Sequence, residues 1–294
     1  MKRPIRPSPS GKQPAPSGNT KLIAIFGWPL TYTLSPRFQT AALRSHGLDA
    51  AYVALPVKEA PDFRRLARAM MESPNFLGAN ITNPHKLEAL GLVRRLSPAA
   101  RAIGAVNTLA RLEGAWIGHN TDAAGFLESL RTAPVPVRVK GARILVLGAG
   151  GAARAAVWAG AQAGARRIVV LARRRVQARQ CAALAGRAGL SGDLVGGGAA
   201  LASLGADLVV NALPGGALGG AFGACLARRA KKGAAAMDLS YSPPRTAFLR
   251  EAGVRGWREI SGLGMLVEQG RAAFELWFGF KPERRFLDAA LRKV

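Results

Sequence analysis

A chain of 294 residues, 49% of them hydrophobic and 20% charged, has enough material for one large or two ordinary globular domains, and its composition is not that of a disordered protein. The formal charge of +25, from 42 Lys and Arg against 17 Asp and Glu, would suit a polyanionic partner. The basic residues are spread among alanines with no zinc-finger, RNA-recognition or aromatic stacking motif, so specific nucleic-acid binding is not expected. Cys181 and Cys225 lie far apart without partner spacing, which argues against a disulfide framework and a metal site. The apolar stretches are broken by Arg154, Asp207 or Asn211, short of the run of about 20 that a membrane span needs. Residues 1–20 hold five prolines, three serines and four basic residues, which predicts a disordered basic tail. With no secretory segment, a cytoplasmic protein is expected.

After the tail, Leu22–Phe26 reads as a short buried strand ending at Gly27. The loop Trp28-Pro-Leu-Thr-Tyr-Thr-Leu-Ser35 leads to Pro36, which suits the first turn of a helix capped by Ser35 and ending near His46-Gly47. A strand over Ala51–Leu55 and an amphipathic helix from Pro61 to about Glu72 follow. Leu77–Thr82 then reads as a strand, with a helix starting at His85-Lys86. This alternation predicts a mostly parallel sheet with helices on its faces. A second alternating region brings strands at Ile144–Leu147, Arg167–Leu171, Ala206–Asn211 and Ala234–Leu239. It also predicts a helix through Ala188, a glycine-rich run to Gly223 and a last helix over Leu263–Phe278.

The stretch Arg143-Ile-Leu-Val-Leu-Gly-Ala-Gly-Gly-Ala-Ala-Arg154 places G-x-G-x-x-A between a strand and an alanine-rich helix. In that context Gly148 permits the tight turn, Gly150 leaves room for a pyrophosphate, and Ala153 lets helix and strand pack closely. Ala149, Gly151 and Ala152 complete the loop, whose N–H groups at the new helix terminus would face phosphates. Three polar clusters fall at predicted strand ends, where open α/β sheets place ligands. They are Asn80-Ile-Thr-Asn-Pro-His-Lys86, then Ala105-Val-Asn-Thr108 with His119-Asn-Thr-Asp122, and finally Gly262-Leu-Gly-Met-Leu-Val-Glu-Gln269. His46, His85 and His119 lack ligand-like spacing, so no metal is expected, and His85 reads as packing or helix-start structure.

Together these motifs resemble shikimate dehydrogenase, the NADP-linked enzyme that reduces 3-dehydroshikimate, over about Ile23 to Leu276. The carriers are N-I/V-T-x-P-x-K, A-V-N-T, N-T-D, G-A-G-G-A-x-R and G-L-G-M-L-V-x-Q. The resemblance implies an α/β two-domain enzyme: a catalytic αβ domain over 21–122 and 261–294, and a Rossmann NADP-binding domain over 123–260. The final helix would return to the first domain. It further implies Lys86 and Asp122 as the catalytic pair and Thr33, Ser35 and Tyr241 at the substrate carboxylate. Asn80, Thr82, Asn107, Asp122 and Gln269 would line the hydroxyl side, and Asn211 and Gly262 would join the cofactor loop. An ammonium on Lys86 suits the proton donation that a developing alkoxide requires. The chain departs from the family at Thr33-Leu34-Ser35, where S-x-S is usual, and at Asn211-Ala-Leu-Pro-Gly215, where N-A-T is more common.

The cofactor choice follows from charge. An NAD site typically carries Asp or Glu about 20 residues past the glycines, yet no acidic residue occurs from Ser129 to Gly192. Arg173, Arg174 and Arg179 stand there instead, resembling the family's N-R-S/T-x-x-R imperfectly, and Arg173 is the firmest expected contact for a 2′-phosphate. NADP is therefore the expected cofactor, with a small-molecule substrate and a monomer or homodimer. Two rival readings stay open: a quinate/shikimate dehydrogenase, and a non-catalytic NADP-binding regulatory protein on the same scaffold.

Overall fold

Continuous apolar runs form the centre of each of two six-stranded sheets. The computed structural model describes residues 12–193, 205–213 and 230–292. Among these, one compact unit comprises the residues up to Thr121 together with those from Gln269 onward, and the other is Asp122–Glu268.

In the first unit, β1 (Lys21–Gly27) lies between β2 (Ala50–Pro56) and β3 (Phe76–Ile81), parallel to both. Ile23 to Phe26 are almost wholly buried, as befits a strand covered on both faces. The helix α1 is Ser35–Ser45, and α2 is Ala60–Glu72, which buries Phe63 and Ala67 four residues apart on one face. The remaining strands are β4 (Arg95–Leu96), β5 (Thr108–Leu112) and β6 (Ala115–His119), in the order β2-β1-β3-β5-β6-β4. A short helix, α3 (Pro98–Ile103), is capped by the Ser97 hydroxyl, which accepts from the Ala100 N–H at 3.2 Å.

The sheet is mostly parallel, as expected, with one strand reversed: β5 runs antiparallel to both β3 and β6. Other expectations need correction. The β5–β6 hairpin turns at Glu113-Gly114, both at positive φ, as a two-residue hairpin loop requires. No α-helix starts at His85. Val106 N–H donates to the Lys86 carbonyl at 2.8 Å, removing it from any helical ladder, and only Glu88–Leu92 coil, as a 3₁₀ turn. Ser35 is the first residue of α1 rather than its cap; Leu34 holds the cap position without a side-chain bond. Residues 12–20, expected within a disordered tail, are tied to the sheet. Gln13 donates to the Ala50 carbonyl at 2.8 Å, Thr20 to Asp49 at 2.6 Å, and Asn75 to the Gly18 carbonyl at 2.7 Å. Residues 1–11 lie outside the described residues.

The second unit holds α4 (Asp122–Arg131) and a sheet that is parallel throughout, ordered β12-β11-β10-β7-β8-β9. Its strands are β7 (Arg143–Leu147), β8 (Arg167–Ala172), β9 (Gly189–Asp193), β10 (Ala206–Asn211), β11 (Ala230–Asp238) and β12 (Arg258–Ser261). The order reverses direction between β7 and β10, the switch point at which doubly wound sheets bind dinucleotides. The helices are α5 (Gly151–Gln162), α6 (Arg175–Ala182), α7 (Ala247–Val254) and the start of α8 (Gly262–Phe278). The helix expected through Ala188 ends regular coiling at Ala182; 3₁₀ turns follow, and Gly186 leaves helical geometry at φ 55°. The glycine-rich run from Gly215 to Gly223 and Cys225 lie outside the described residues.

The division of the chain falls inside α8, between Glu268 and Gln269. From Gln269 onward the helix belongs to the first unit. Trp277 donates its indole N–H to the Leu109 carbonyl at 3.0 Å, and a Cβ on Gly78 would stand 2.2 Å from that indole nitrogen. Only glycine at position 78 leaves the slot that Trp277 fills. The last helix, α9 (Arg284–Leu291), buries Leu287 and Leu291.

Candidate active site

The glycine loop of the second unit is built by its backbone. Gly148 turns at φ 106°, and its N–H donates to the Leu171 carbonyl at 2.7 Å. A Cβ at Gly148 would be strained by that φ and would lie 3.1 Å from the Ala212 carbonyl oxygen. Gly150 is the exposed cap residue of α5, makes no side-chain bond, and would point a Cβ into open space. The first turn of α5, with Gly151 and Ala152, thus has no side chain capping its N–H groups, while Ala153 is fully buried against the sheet. Ala149 is half-buried between the two glycines.

At the end of β8, Arg173 and Arg174 are exposed; Arg174 is the cap residue of α6, and Arg179 is exposed in that helix. The uncapped loop, the space before Gly150 and the exposed guanidiniums fit a dinucleotide carrying an extra phosphate. Asn211 stands at the end of β10. It is fully buried, donates to Asp238 Oδ2 at 3.1 Å and accepts from the Leu213 N–H at 3.2 Å. Asp238, also fully buried, accepts from the Thr246 hydroxyl at 2.6 Å and the Ser240 N–H at 2.9 Å. It therefore shapes the turn that presents the half-buried Tyr241. Gly262 packs against the Asp238 and Leu239 carbonyls, with 2.6 Å to either from a Cβ. Asp238 was not anticipated from sequence, where an aspartate at a strand end reads as turn chemistry.

In the first unit, buried amides and hydroxyls converge at the ends of β3, β5 and β6. Asn80 donates to Thr108 Oγ1 at 3.1 Å, and Thr108 donates to Asn107 Oδ1 at 3.0 Å. Asn107 Oδ1 also accepts the Thr121 backbone N–H at 2.7 Å, and Asn107 Nδ2 reaches Thr121 Oγ1 at 2.9 Å and Gln269 Oε1 at 3.4 Å. Asn120 donates to the Ala105 carbonyl at 3.0 Å. Asn80, Asn107 and Gln269 are thus gathered, together with Thr108, Asn120 and Thr121, which the motifs contained but which sequence reasoning gave no part. The sequence also gave no sign that Tyr52, reading as an ordinary strand residue, donates to Asn80 Oδ1 at 2.7 Å.

Thr82 and Lys86 are half-buried on the turn after β3. Backbone bonds hold that turn: Val106 N–H to the Lys86 carbonyl, His85 N–H to the Thr82 carbonyl, Thr82 N–H to the Phe26 carbonyl and Trp28 N–H to the Asn83 carbonyl, the last three at 2.9 Å. His85 packs as expected, stacked on Phe63 at 4.4 Å, with Nε2 at 2.7 Å from the Val57 carbonyl. Thr33 Oγ1 accepts the Ser35 N–H at 3.4 Å, joining the two residues of the loop before α1; neither is bonded to the amide cluster in the interactions described. Burial pushes the His119 imidazole below the ordinary histidine range. Asp122 is buried as the first residue of α4 and belongs, like Tyr241, to the second unit.

A doubly wound sheet with an open phosphate loop, in a chain that also holds a buried cluster of amides and hydroxyls, defines a dinucleotide-dependent oxidoreductase. Residues 25–109 match the family described as the shikimate dehydrogenase substrate binding domain, and residues 262–292 that described as the shikimate 5′-dehydrogenase C-terminal domain. The shikimate dehydrogenase (NADP+) of Citrifermentans bemidjiense is 41% identical over 94% of this chain and 96% of its own length. That of Salinibacter ruber is 40% identical over 88% and 92%. Among solved structures, the Thermus thermophilus shikimate 5-dehydrogenase in complex with NADP(H) and shikimate is 35% identical, with a TM-score of 0.77 over 93% of this chain and 99% of that one. The chain belongs to the NADP-dependent shikimate dehydrogenase family.

Proposed function

We propose that the chain reduces 3-dehydroshikimate to shikimate with NADPH, reversibly, as a step of chorismate and aromatic amino acid biosynthesis. The observation that carries this reading is the buried cluster of Asn80, Asn107, Thr108 and Thr121 with the half-buried Gln269, because fixed amides and hydroxyls are what a polyhydroxylated ring requires. When bound, the nicotinamide supplies the hydride. The Gly148–Ala152 loop holds the pyrophosphate, and Arg173, with Arg174 and Arg179, holds the 2′-phosphate. Asn211 is the cofactor contact at the end of β10, where its side chain is held by Leu213 N–H and Asp238. Gly262 keeps the start of α8 close to the β11 end.

Lys86 donates the proton to the substrate oxygen as negative charge develops there, from a turn that backbone bonds hold in place. Asp122, the acid of the N-T-D motif, is the second member of the catalytic pair. Asn80, Thr82, Asn107 and Gln269 orient the hydroxyls, and Thr33, Ser35 and Tyr241 receive the carboxylate. Thr33 keeps the hydroxyl of the family's usual serine and adds a methyl. The protein acts in the cytoplasm as a monomer or homodimer, without a specific nucleic-acid partner. No helix among the described residues is long and apolar enough to cross a membrane. The test is NADPH consumption with 3-dehydroshikimate. Turnover supports the reading, and NADPH binding without turnover would favour a regulatory protein instead.

A further inference from the structure

The amide cluster of the first unit does not end at the groups proposed to face substrate. It continues inward to Tyr52 on β2, and the bonds that orient the Asn80 and Asn107 amides have fixed directions. The Asn107 backbone carbonyl can only accept, so the Asn80 atom 3.4 Å from it is Nδ2, which leaves Oδ1 toward Tyr52. Tyr52 Oη therefore donates to Asn80 Oδ1, at 2.7 Å. Asn80 Nδ2 donates to Thr108 Oγ1, which in turn lies 3.0 Å from Asn107 Oδ1 and 3.3 Å from Thr121 Oγ1. The same oxygen accepts the Thr121 backbone N–H, which can only donate, so the Asn107 amide is pinned in one orientation. Its Nδ2 is thereby aimed at Thr121 Oγ1 and at Gln269 Oε1 on α8. The β2, β3 and β5 strands and α8 thus share one chain of bonds. Tyr52, Asn80, Asn107 and Thr108 are all more than nine-tenths buried, so water does not replace a missing donor freely.

We propose that Tyr52 is a positioning residue for substrate binding: its hydroxyl holds the Asn80 amide in place, and through Asn80 and Thr108 it steadies the position of the Asn107 and Gln269 amides that face the substrate hydroxyls. The proposal rests on the reading of Asn80, Asn107 and Gln269 as substrate contacts. Tyr52 itself stands one residue further in, with its ring 6.2 Å from that of Trp277. Removing its hydroxyl leaves Asn80 Oδ1 a buried acceptor without its donor, and the amide can then turn over to seek another.

The test compares Tyr52→Phe, Thr108→Val and the double variant in the complete chain, by steady-state kinetics with each substrate varied in turn. Tyr52→Phe keeps the ring and should raise KM for 3-dehydroshikimate about fivefold, the scale of one neutral hydrogen bond, with kcat and KM for NADPH within about twofold. Thr108→Val cuts the same chain one bond further on and should raise the same KM. The double variant should be no worse than the poorer single one, because both break one connected path. A general loss of packing would instead lower melting temperature and kcat together. Tyr52→Phe with an unchanged KM, or singles whose effects multiply, would overturn the proposal. Asn107→Ala and Gln269→Ala separate it from its premise. If they raise KM while Tyr52→Phe does not, the substrate contacts stand and the relay falls. If neither raises KM, the assignment of the cluster to substrate falls first, and the relay with it.

Discussion

The two units offer a polar ligand opposite kinds of surface. In the parallel sheet of the second unit, the loop proposed to meet the cofactor is made of backbone: Gly148 at φ 106°, Gly150 with open space before it, and an α5 terminus without a side-chain cap. Its polar side chains Asn211 and Asp238 are buried and bonded to each other and to neighbouring turns. In the mixed sheet of the first unit, antiparallel pairing brings β5 and β6 beside β3, and the polar work is done by side chains whose directions are locked. A backbone site tolerates changes in side-chain chemistry but not in shape. A side-chain site should show the reverse.

The largest expected effect sharpens that contrast. Lys86→Ala should lower kcat by roughly a hundredfold or more, the usual contribution of a proton donor, while NADPH affinity measured by titration stays put. Near-normal turnover would remove Lys86 from the mechanism. Asp122→Asn keeps the shape and removes the charge, and should cut kcat about tenfold, the scale of one hydrogen bond to a charged group. A change in KM alone would reassign Asp122 to substrate contact.

Next comes the glycine loop, where shape alone is changed. Gly148→Ala forces a Cβ into a left-handed backbone and should cost about 1–3 kcal/mol of stability, seen as a lower melting temperature, along with NADPH affinity. Gly150→Ala meets no protein atom within 4 Å, so the melting temperature should hold while NADPH binding weakens. If both variants bound NADPH normally, the loop would not be the phosphate site. Arg173→Ala should weaken NADPH by about tenfold and leave NADH nearly unchanged, the loss being smaller in high salt. Equal kcat/KM for the two cofactors in the unaltered protein would break the 2′-phosphate assignment.

The smallest effect concerns pH. His46 ends α1 among the rings of Phe274, Phe280 and Phe286, and burial lowers its proton affinity, with Glu283 partly opposing. As pH falls through the ordinary histidine range, the unfolded chain takes up the proton before the fold does. Stability should therefore decline as pH falls through the ordinary histidine pKa and level off below the lowered folded-state one. His46→Leu should flatten that part of the melting-temperature profile. An unchanged slope would show that other groups set it.

Much of this was legible in the sequence, for reasons that also mark where legibility ends. The runs Ile23–Phe26, Ile144–Leu147 and Ile168–Leu171 are buried on both faces and read directly as central strands. By contrast β9, Gly-Leu-Ser-Gly-Asp, and β12, Arg-Glu-Ile-Ser, carry almost no strand signal and exist because a neighbour pairs with them. The β5–β6 hairpin hid behind the motif at its start, and the turn at His85 because the Val106 bond that breaks the helix comes from a distant segment. Motif residues could be listed from sequence. Which amide faces which, and that Tyr52 stands behind them, depends on register between strands that no local pattern encodes.

The slot at Gly78 has a consequence for how the chain is made. The sheet of the first unit leaves the ribosome early, but Trp277, which fills the slot, is synthesised only after the whole of Asp122–Glu268. At about 5–20 residues per second, that is roughly seven to thirty seconds of waiting. A chain stopped before Gly262 should then be cut readily by protease in β3 and β5, and resistance there equal to the full chain would show that the slot closes without Trp277. During that interval the nascent first unit carries an open indole-sized gap beside Leu109, and the unit begun first is completed last.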